Sequence, residues 1–128
     1  MNRIDYNVTV DFANPNNNIP PEYPLMQGSN VAFVITLKEN GVPIDLTNFD
    51  IVAHVVNFNK LDCHSTVLNS FPPLTVEKLN DYTVRISGED LSKYEYKCAL
   101  VLECIHPGYS LTRCVSCPLY YIVQSNLI

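Results

Sequence analysis

Apolar residues in this chain recur at every second position. In residues 3–12, Ile4, Tyr6, Val8, Val10 and Phe12 fall on one face, and Asp5, Asn7, Thr9 and Asp11 on the other. That is the pattern of a half-buried strand. "NVAFVITLKE" repeats it, with Val31, Phe33, Ile35 and Leu37 opposed to Ala32, Val34, Thr36 and Lys38. "DIVAHVVNF" is a third strand, and "LTVEKL", an Asn80-Asp81 turn and "YTVRIS" form a hairpin pattern. "YEYKCALVLECI" is apolar on both faces, as suits a central strand. After the "HPGYS" turn, "LTRCVSCPLYYIV" is the returning strand, with Pro118 expected at a bulge or an edge. Seven short-spaced strands without an amphipathic helix predict an all-β chain: a single antiparallel Ig-like β-sandwich of about seven strands. Its core should hold Val31, Phe33, Ile35, Val84, Ile86, Leu100 and Leu102.

The connections carry their own chemistry. In "ENGVPIDLTNFDI", Asn40-Gly41 supplies the positive-φ pair of a tight hairpin. Pro43 suits the first position of a short edge strand, and Asp45 and Thr47 can bond to nearby backbone and close the next bend. "ANPNNNIPPEYP" holds four prolines and four asparagines, which excludes a helix and predicts an extended loop. Ser87 followed by Asp90 has the form of a capping box, so one helical turn is expected in "SGEDLSKY". Tyr94 and Tyr96, behind Asp90, either form the tyrosine corner of an immunoglobulin-like sandwich or are ordinary strand residues. One domain is expected over residues 1–128: a strand plus Pro/Asn-rich arm at 1–28 and a sandwich body at 29–128.

Composition narrows the function. With 47% hydrophobic and 16% charged residues, the chain can build a core. A net charge of −5 argues against a nucleic-acid ligand. No apolar run approaches the ~20 residues of a membrane-spanning helix, so no membrane partner is expected. No secretion signal is visible, which predicts a reducing cytoplasm and five cysteines held as thiols. His54 lies mid-strand, and His64 and His106 lie in loops without an acid or nucleophile nearby in sequence. No catalytic residue and no cofactor are expected. Cys114-Val-Ser-Cys117, with Cys98, Cys104 and His106, is the one combination that could hold zinc. Against it, positions 114 and 117 of an extended strand point to opposite faces. Buried free thiols are therefore the expectation, with no metal.

"MQGSNVAFVITLKENGVPIDLTNFDIVAHV" resembles the N-terminal domain of siphophage baseplate upper proteins and related Ig-like modules of phage fibre and tail proteins. The shared positions are Gln27-Gly28, Asn40-Gly41, Pro43 and Asp45-Leu46-Thr47, and the likeness extends over about residues 3–123. The resemblance implies a virion structural protein that anchors other virion subunits at a baseplate, tail or fibre, and not an enzyme. It departs from that family in its five cysteines and in stopping at Ile128, where family members continue into helical linkers. A capsid decoration protein or the base of a head fibre is an alternative placement. A carbohydrate- or receptor-binding sandwich is another, with Tyr23, Phe71, Tyr109 and Tyr120 as stacking candidates. The expected partners are other virion proteins, in a symmetric homo-oligomer within a particle assembled in the host cytoplasm. Docking is assigned to the N-terminal segment, through Ile4, Tyr6, Val8, Val10, Phe12, Ile19 and Tyr23. A strand followed by a pre-extended arm can pair with its own sheet or a neighbour's.

Overall fold

The computed structural model describes residues 3–14, 17–18, 25–57, 74–93, 96–105 and 114–125. The strands are β1 (Ile4–Asp11), β2 (Asn17–Asn18), β3 (Leu25–Met26), β4 (Val31–Glu39), β5 (Val42–Pro43), β6 (Asp50–Asn57), β7 (Thr75–Lys78), β8 (Thr83–Ser87), β9 (Tyr96–Ile105) and β10 (Cys114–Gln124). A 3-10 turn spans Glu89–Leu91. Sheet A has the order β1-β4-β8-β7, with β5 beside β4; sheet B has the order β2-β10-β9-β6, with β3 beside β10. The two sheets pack face to face, as the period-two pattern requires.

One core joins them. Phe33, Ile35, Leu37, Val84 and Ile86 from sheet A meet Ala53, Val55, Leu100, Leu102, Leu119 and Tyr121 from sheet B. All seven residues expected in the core are buried. Burying each large aliphatic or aromatic side chain stabilises the fold by roughly 1.5–3 kcal/mol. The rings of Tyr6, Phe33 and Tyr121 link β1 to β10 across the sandwich, with centroids 6.0 and 5.2 Å apart.

The hairpin strands pair antiparallel, but β1 does not. It runs parallel to β4 in continuous register from Ile4↔Val31 to Asp11↔Lys38. A parallel neighbour needs a crossover connection, and residues 12–30 supply it. On the way, β2 and β3 run parallel to β10. Where it is described, this connection is a strap: it leaves the edge of sheet A, borders sheet B at Asn17–Asn18 and Leu25–Met26, and returns to β4.

Turn chemistry follows the sequence closely. Asn40 and Gly41 have φ of 53° and 79°, and the short β5 lies back on β4. The Thr47 N–H and hydroxyl both donate to Asp45 Oδ1, at 3.0 and 2.6 Å. The 39–51 step thus carries the chain from sheet A to sheet B while burying Leu46. β10 pairs with β9 one for one through Pro118↔Val101, without a bulge. The proline is tolerated because, among the described residues, β2 and β3 border β10 on its other side at 119–120 and 123–124, leaving Pro118 outside their pairing.

The helical turn stands where expected, but its cap differs. Ser87 still belongs to β8, Gly88 is the N-cap, and no side chain caps it. Gly88 has φ of 150°, and a Cβ there would approach Leu74 Cδ2 to 2.7 Å. Only glycine fits between the end of β8 and this buried leucine.

Candidate assembly surfaces

The N-terminal segment closes one edge of each sheet, and its fastenings are specific. Asp11 ends β1 and accepts the N–H groups of Ala13 (2.9 Å), Asn40 (2.9 Å) and Gly41 (2.8 Å). These donors, Ala13 first and then Gly41, hold its carboxyl below the ordinary aspartate value, against a partial opposing effect of burial. Asn17 is buried and completes the corner. Its Oδ1 accepts the Asp11 N–H at 3.1 Å, and its Nδ2 donates to the Asp11 carbonyl at 3.0 Å. The conformationally demanding Asn40-Gly41 turn is thereby tied to the end of β1.

The residues assigned to docking divide. Val10 is fully buried in the core, and Tyr6, Val8 and Phe12 pack against it from the edge. Ile4 is 53% exposed. Ile19 and Tyr23 lie outside the described residues.

The Gln27-Gly28 pair works at the opposite end. The Gly28 N–H donates to the Ser92 carbonyl at 2.9 Å, and Gln27 Nε2 donates to the Lys93 carbonyl at 3.0 Å. Buried Ser92 returns its hydroxyl to the Ser29 carbonyl at 2.7 Å. Gly28 has φ of 80°, which glycine adopts freely. The motif thus fastens the strap to the 3-10 turn. Two adjoining surface clefts share Gly28, Ser29 and Glu89 there, of about 510 and 580 Å³. Arg3 lines one and Lys93 the other.

The cysteines are dispersed where the structure describes them. Cys98 and Cys104 are buried free thiols on the core side of β9. Six residues of strand separate them by roughly 20 Å, too far for one metal ion. Burial pushes the Cys98 thiol up to about 12, against a smaller opposing bond from Tyr121. Among the described residues, no group of three or more His, Cys, Asp and Glu could hold a metal. Cys114 and Cys117 lie on β10, opposite Ile105 and Leu102 in register. Cys63, His64, His106, Phe71 and Tyr109 lie outside the described residues, and so does Tyr94. His54 is half-buried, and its Nδ1 has no hydrogen-bond partner among the described residues.

Two residues that the sequence left unremarked hold the body together. The Tyr121 hydroxyl donates to the Leu91 carbonyl at 2.7 Å, fully buried, and so ties β10 to the 3-10 turn. Burial, with Cys98 and Asp90 nearby, raises that hydroxyl well above the ordinary tyrosine value. Lys78 Nζ donates to the carbonyls of Leu46 and Phe49, at 2.7 and 2.5 Å, and caps the step between the sheets. Neither contact has a local sequence signal, because its partner lies some thirty residues away.

No protein-family model matches this chain, and no curated protein matches it. Among solved structures, it is similar to the N-terminal domain of phage TP901-1 ORF48, with a TM-score of 0.66 and 14% sequence identity. The match covers 94% of this chain and 98% of that one. At that identity the likeness establishes the fold, which agrees with the resemblance drawn from the Gln27-Gly28 and Asp45-Leu46-Thr47 segments.

Proposed function

We propose that this chain is a bacteriophage virion structural protein, an anchoring module that binds other virion subunits at a baseplate, tail or fibre attachment. The observation that carries this is the near end-to-end fold match to the N-terminal domain of phage TP901-1 ORF48. Fold alone does not fix function, and the sequence resemblance to siphophage baseplate upper proteins at Gln27-Gly28 and Asp45-Leu46-Thr47 supports the same reading. The role is one of binding, with no chemistry performed.

Within that reading, residues 1–128 act as one domain, and residues 1–28 are the assembly element. Main-chain pairing does not depend on which chain supplies the strand. β1 can therefore lie on β4 of its own chain, as here, or on β4 of a neighbour in a symmetric oligomer, with the same registered contacts. Ile4, already exposed, extends that contact outward. Peptide mass spectrometry and immunogold labelling of purified particles test the location. Label on the baseplate or tail supports the reading, and label on the capsid moves the module to a decoration role. Absence from particles overturns the proposal. Deletion of residues 1–24 tests the arm. A truncated chain that stays folded and still enters particles normally removes the assembly role from this segment. A chain that unfolds places β1 in its own core.

A further inference from the structure

The apolar residues of β1 do not fix its register on β4. Ile4, Tyr6, Val8, Val10 and Phe12 form one unbroken row, so a slip of two residues keeps every apolar side chain on its face. In one direction the slip puts Val8 where Val10 is now buried, the same side chain in the same place. Tyr6 against Phe33 favours the observed register, but Ile4, next in the row, is also apolar. A parallel ladder is evenly spaced, so its hydrogen bonds re-form after a two-residue slip. No tight turn sets the register either, because residues 12–30 separate the two strands.

Asp11 is what a slip cannot replace. The Asn40 N–H donates to its Oδ1 at 2.9 Å, and the Gly41 N–H donates to its Oδ2 at 2.8 Å. These are successive amides of a turn with positive φ at both residues, a concave pair of donors that suits an anion. A two-residue slip brings Thr9 or Ala13 to this place, and neither carries a carboxylate. Asp5, the other carboxylate of the strand, is engaged by Arg3 at 3.0 Å and Arg85 at 3.6 Å. The bonds that Asn17 makes to Asp11 run to its main-chain N–H and carbonyl, which Thr9 would offer equally.

We propose that the Asn40-Gly41 turn is a carboxylate-receiving site, and that Asp11 seated in it sets the register and the specificity of the N-terminal strand on β4. The segment it fits is the one it holds: apolar at alternate positions, parallel to β4, with an aspartate opposite Lys38. Between chains, this inference rests on the assembly reading of residues 1–28. A neighbour's β1 then brings the same carboxylate to the same turn, and a strand without it is not held in register.

Disulfide trapping in the full chain tests the register, with the parent chain as background and circular dichroism to confirm folding. Thr9 stands beside Thr36, and Asn7 lies two residues before Thr9 on the same face. Neighbouring strands are ~4.8 Å apart, within reach of a disulfide. A bridge in Thr9→Cys/Thr36→Cys reports the observed register, and one in Asn7→Cys/Thr36→Cys reports the slip. With Asp11 in place, the first should form at least about tenfold faster than the second. Asp11→Ala should narrow that preference to within about threefold. Moving the carboxylate, by Thr9→Asp with Asp11→Thr, should make Asn7→Cys/Thr36→Cys the fast pair. An unchanged preference in a folded Asp11→Ala chain overturns the proposal, and so does a moved carboxylate that leaves the Asn7→Cys pair slow. Loss of both bridges in Asp11→Ala also overturns it, because Asp11 would then hold the strand and not its register. Mixing chains that carry Thr9→Cys alone with chains that carry Thr36→Cys alone separates this inference from the assembly reading. A bridge between chains supports exchange of β1. Its absence overturns exchange, and with it the use of the site between chains, while the register result stands on its own.

Discussion

The two sheets share a core but meet the solvent differently. Outward on sheet A stand Asp5, Asn7 and Thr9 of β1, Ala32, Val34, Thr36 and Lys38 of β4, Thr83 and Arg85 of β8, and Thr75 and Glu77 of β7, a face polar everywhere but at the start of β4. Its charges answer one another across the strands: Arg85 lies 2.9 Å from Glu77 and 3.6 Å from Asp5. Outward on sheet B stand Val52, Ala99, Val101, Tyr120 and Ile122, with Lys97 and Glu103 at the two ends of the β9 row. Both sheets use the same inward pattern. The difference teaches that one core can be closed under two kinds of outer surface: ion pairs across strands on sheet A, and half-buried apolar side chains on the described part of sheet B.

The strongest challenge to that comparison is to show that the inner faces differ too. They should not. Phe33→Ala on sheet A and Leu100→Ala on sheet B each remove a fully buried side chain from one cluster. Each should cost about 3–5 kcal/mol in denaturant unfolding. A loss under about 1 kcal/mol at either site would mean that the sheets do not share a core.

A smaller effect belongs to the tie between sheet B and the 3-10 turn. Tyr121→Phe keeps the ring against Phe33 but leaves the Leu91 carbonyl without its buried donor. The expected loss is about 1–3 kcal/mol, with no change in association. Smaller still is Arg85→Met on the outer face of sheet A. Its ion pairs are partly exposed, so the loss should stay within about 1 kcal/mol and fade in high salt. A larger loss that persisted in high salt would show that more than screened surface pairs holds the outer face of sheet A.

Much of this could be read from the sequence because its causes are local. Period two gave the strands, positive φ gave the Asn40-Gly41 turn, and short-range bonding gave the Asp45–Thr47 bend. Apolarity on both faces of 96–105 was legible too, and the strand is central in sheet B, between β10 and β6. The parallel pairing of β1 was not legible, because main-chain bonding leaves no mark on side chains. Its one clue is distance: residues 12–30 are far too many for a hairpin. Tyr121 was not legible as the buried tie to the turn, because only the packed fold decides that its hydroxyl reaches Leu91. Ser87 met the capping pattern, but pairing with Ala32 keeps it in β8 and passes the cap position to Gly88.

The gentlest test concerns the strap rather than either face, and it runs on acid. Asp11 and Asp45 both have carboxyls held below the ordinary value, Asp11 by the Ala13, Gly41 and Asn40 N–H groups and Asp45 by the hydroxyl and N–H of Thr47. A folded-state pKa below the unfolded one contributes stability that is fully present above the unfolded value of 3.8. That contribution is lost as pH falls through the folded value. Melting temperature should therefore hold steady from about pH 7 to pH 5 as far as these groups are concerned, and fall below about pH 4. Asp11→Asn should melt lower than the parent near neutrality, and the gap should narrow in acid, where the parent carboxyl also loses its charge. A gap as wide at about pH 3 as at pH 6 would show that the charge on Asp11 is not what fastens the turn. Hydrogen exchange locates the effect. Asp11 joins β1 to the β4–β5 turn, so amides of β1 should lose protection in acid before those of β8 and β9. If the strap is the element exchanged between neighbours, that same acid window should also be where exchange becomes fastest.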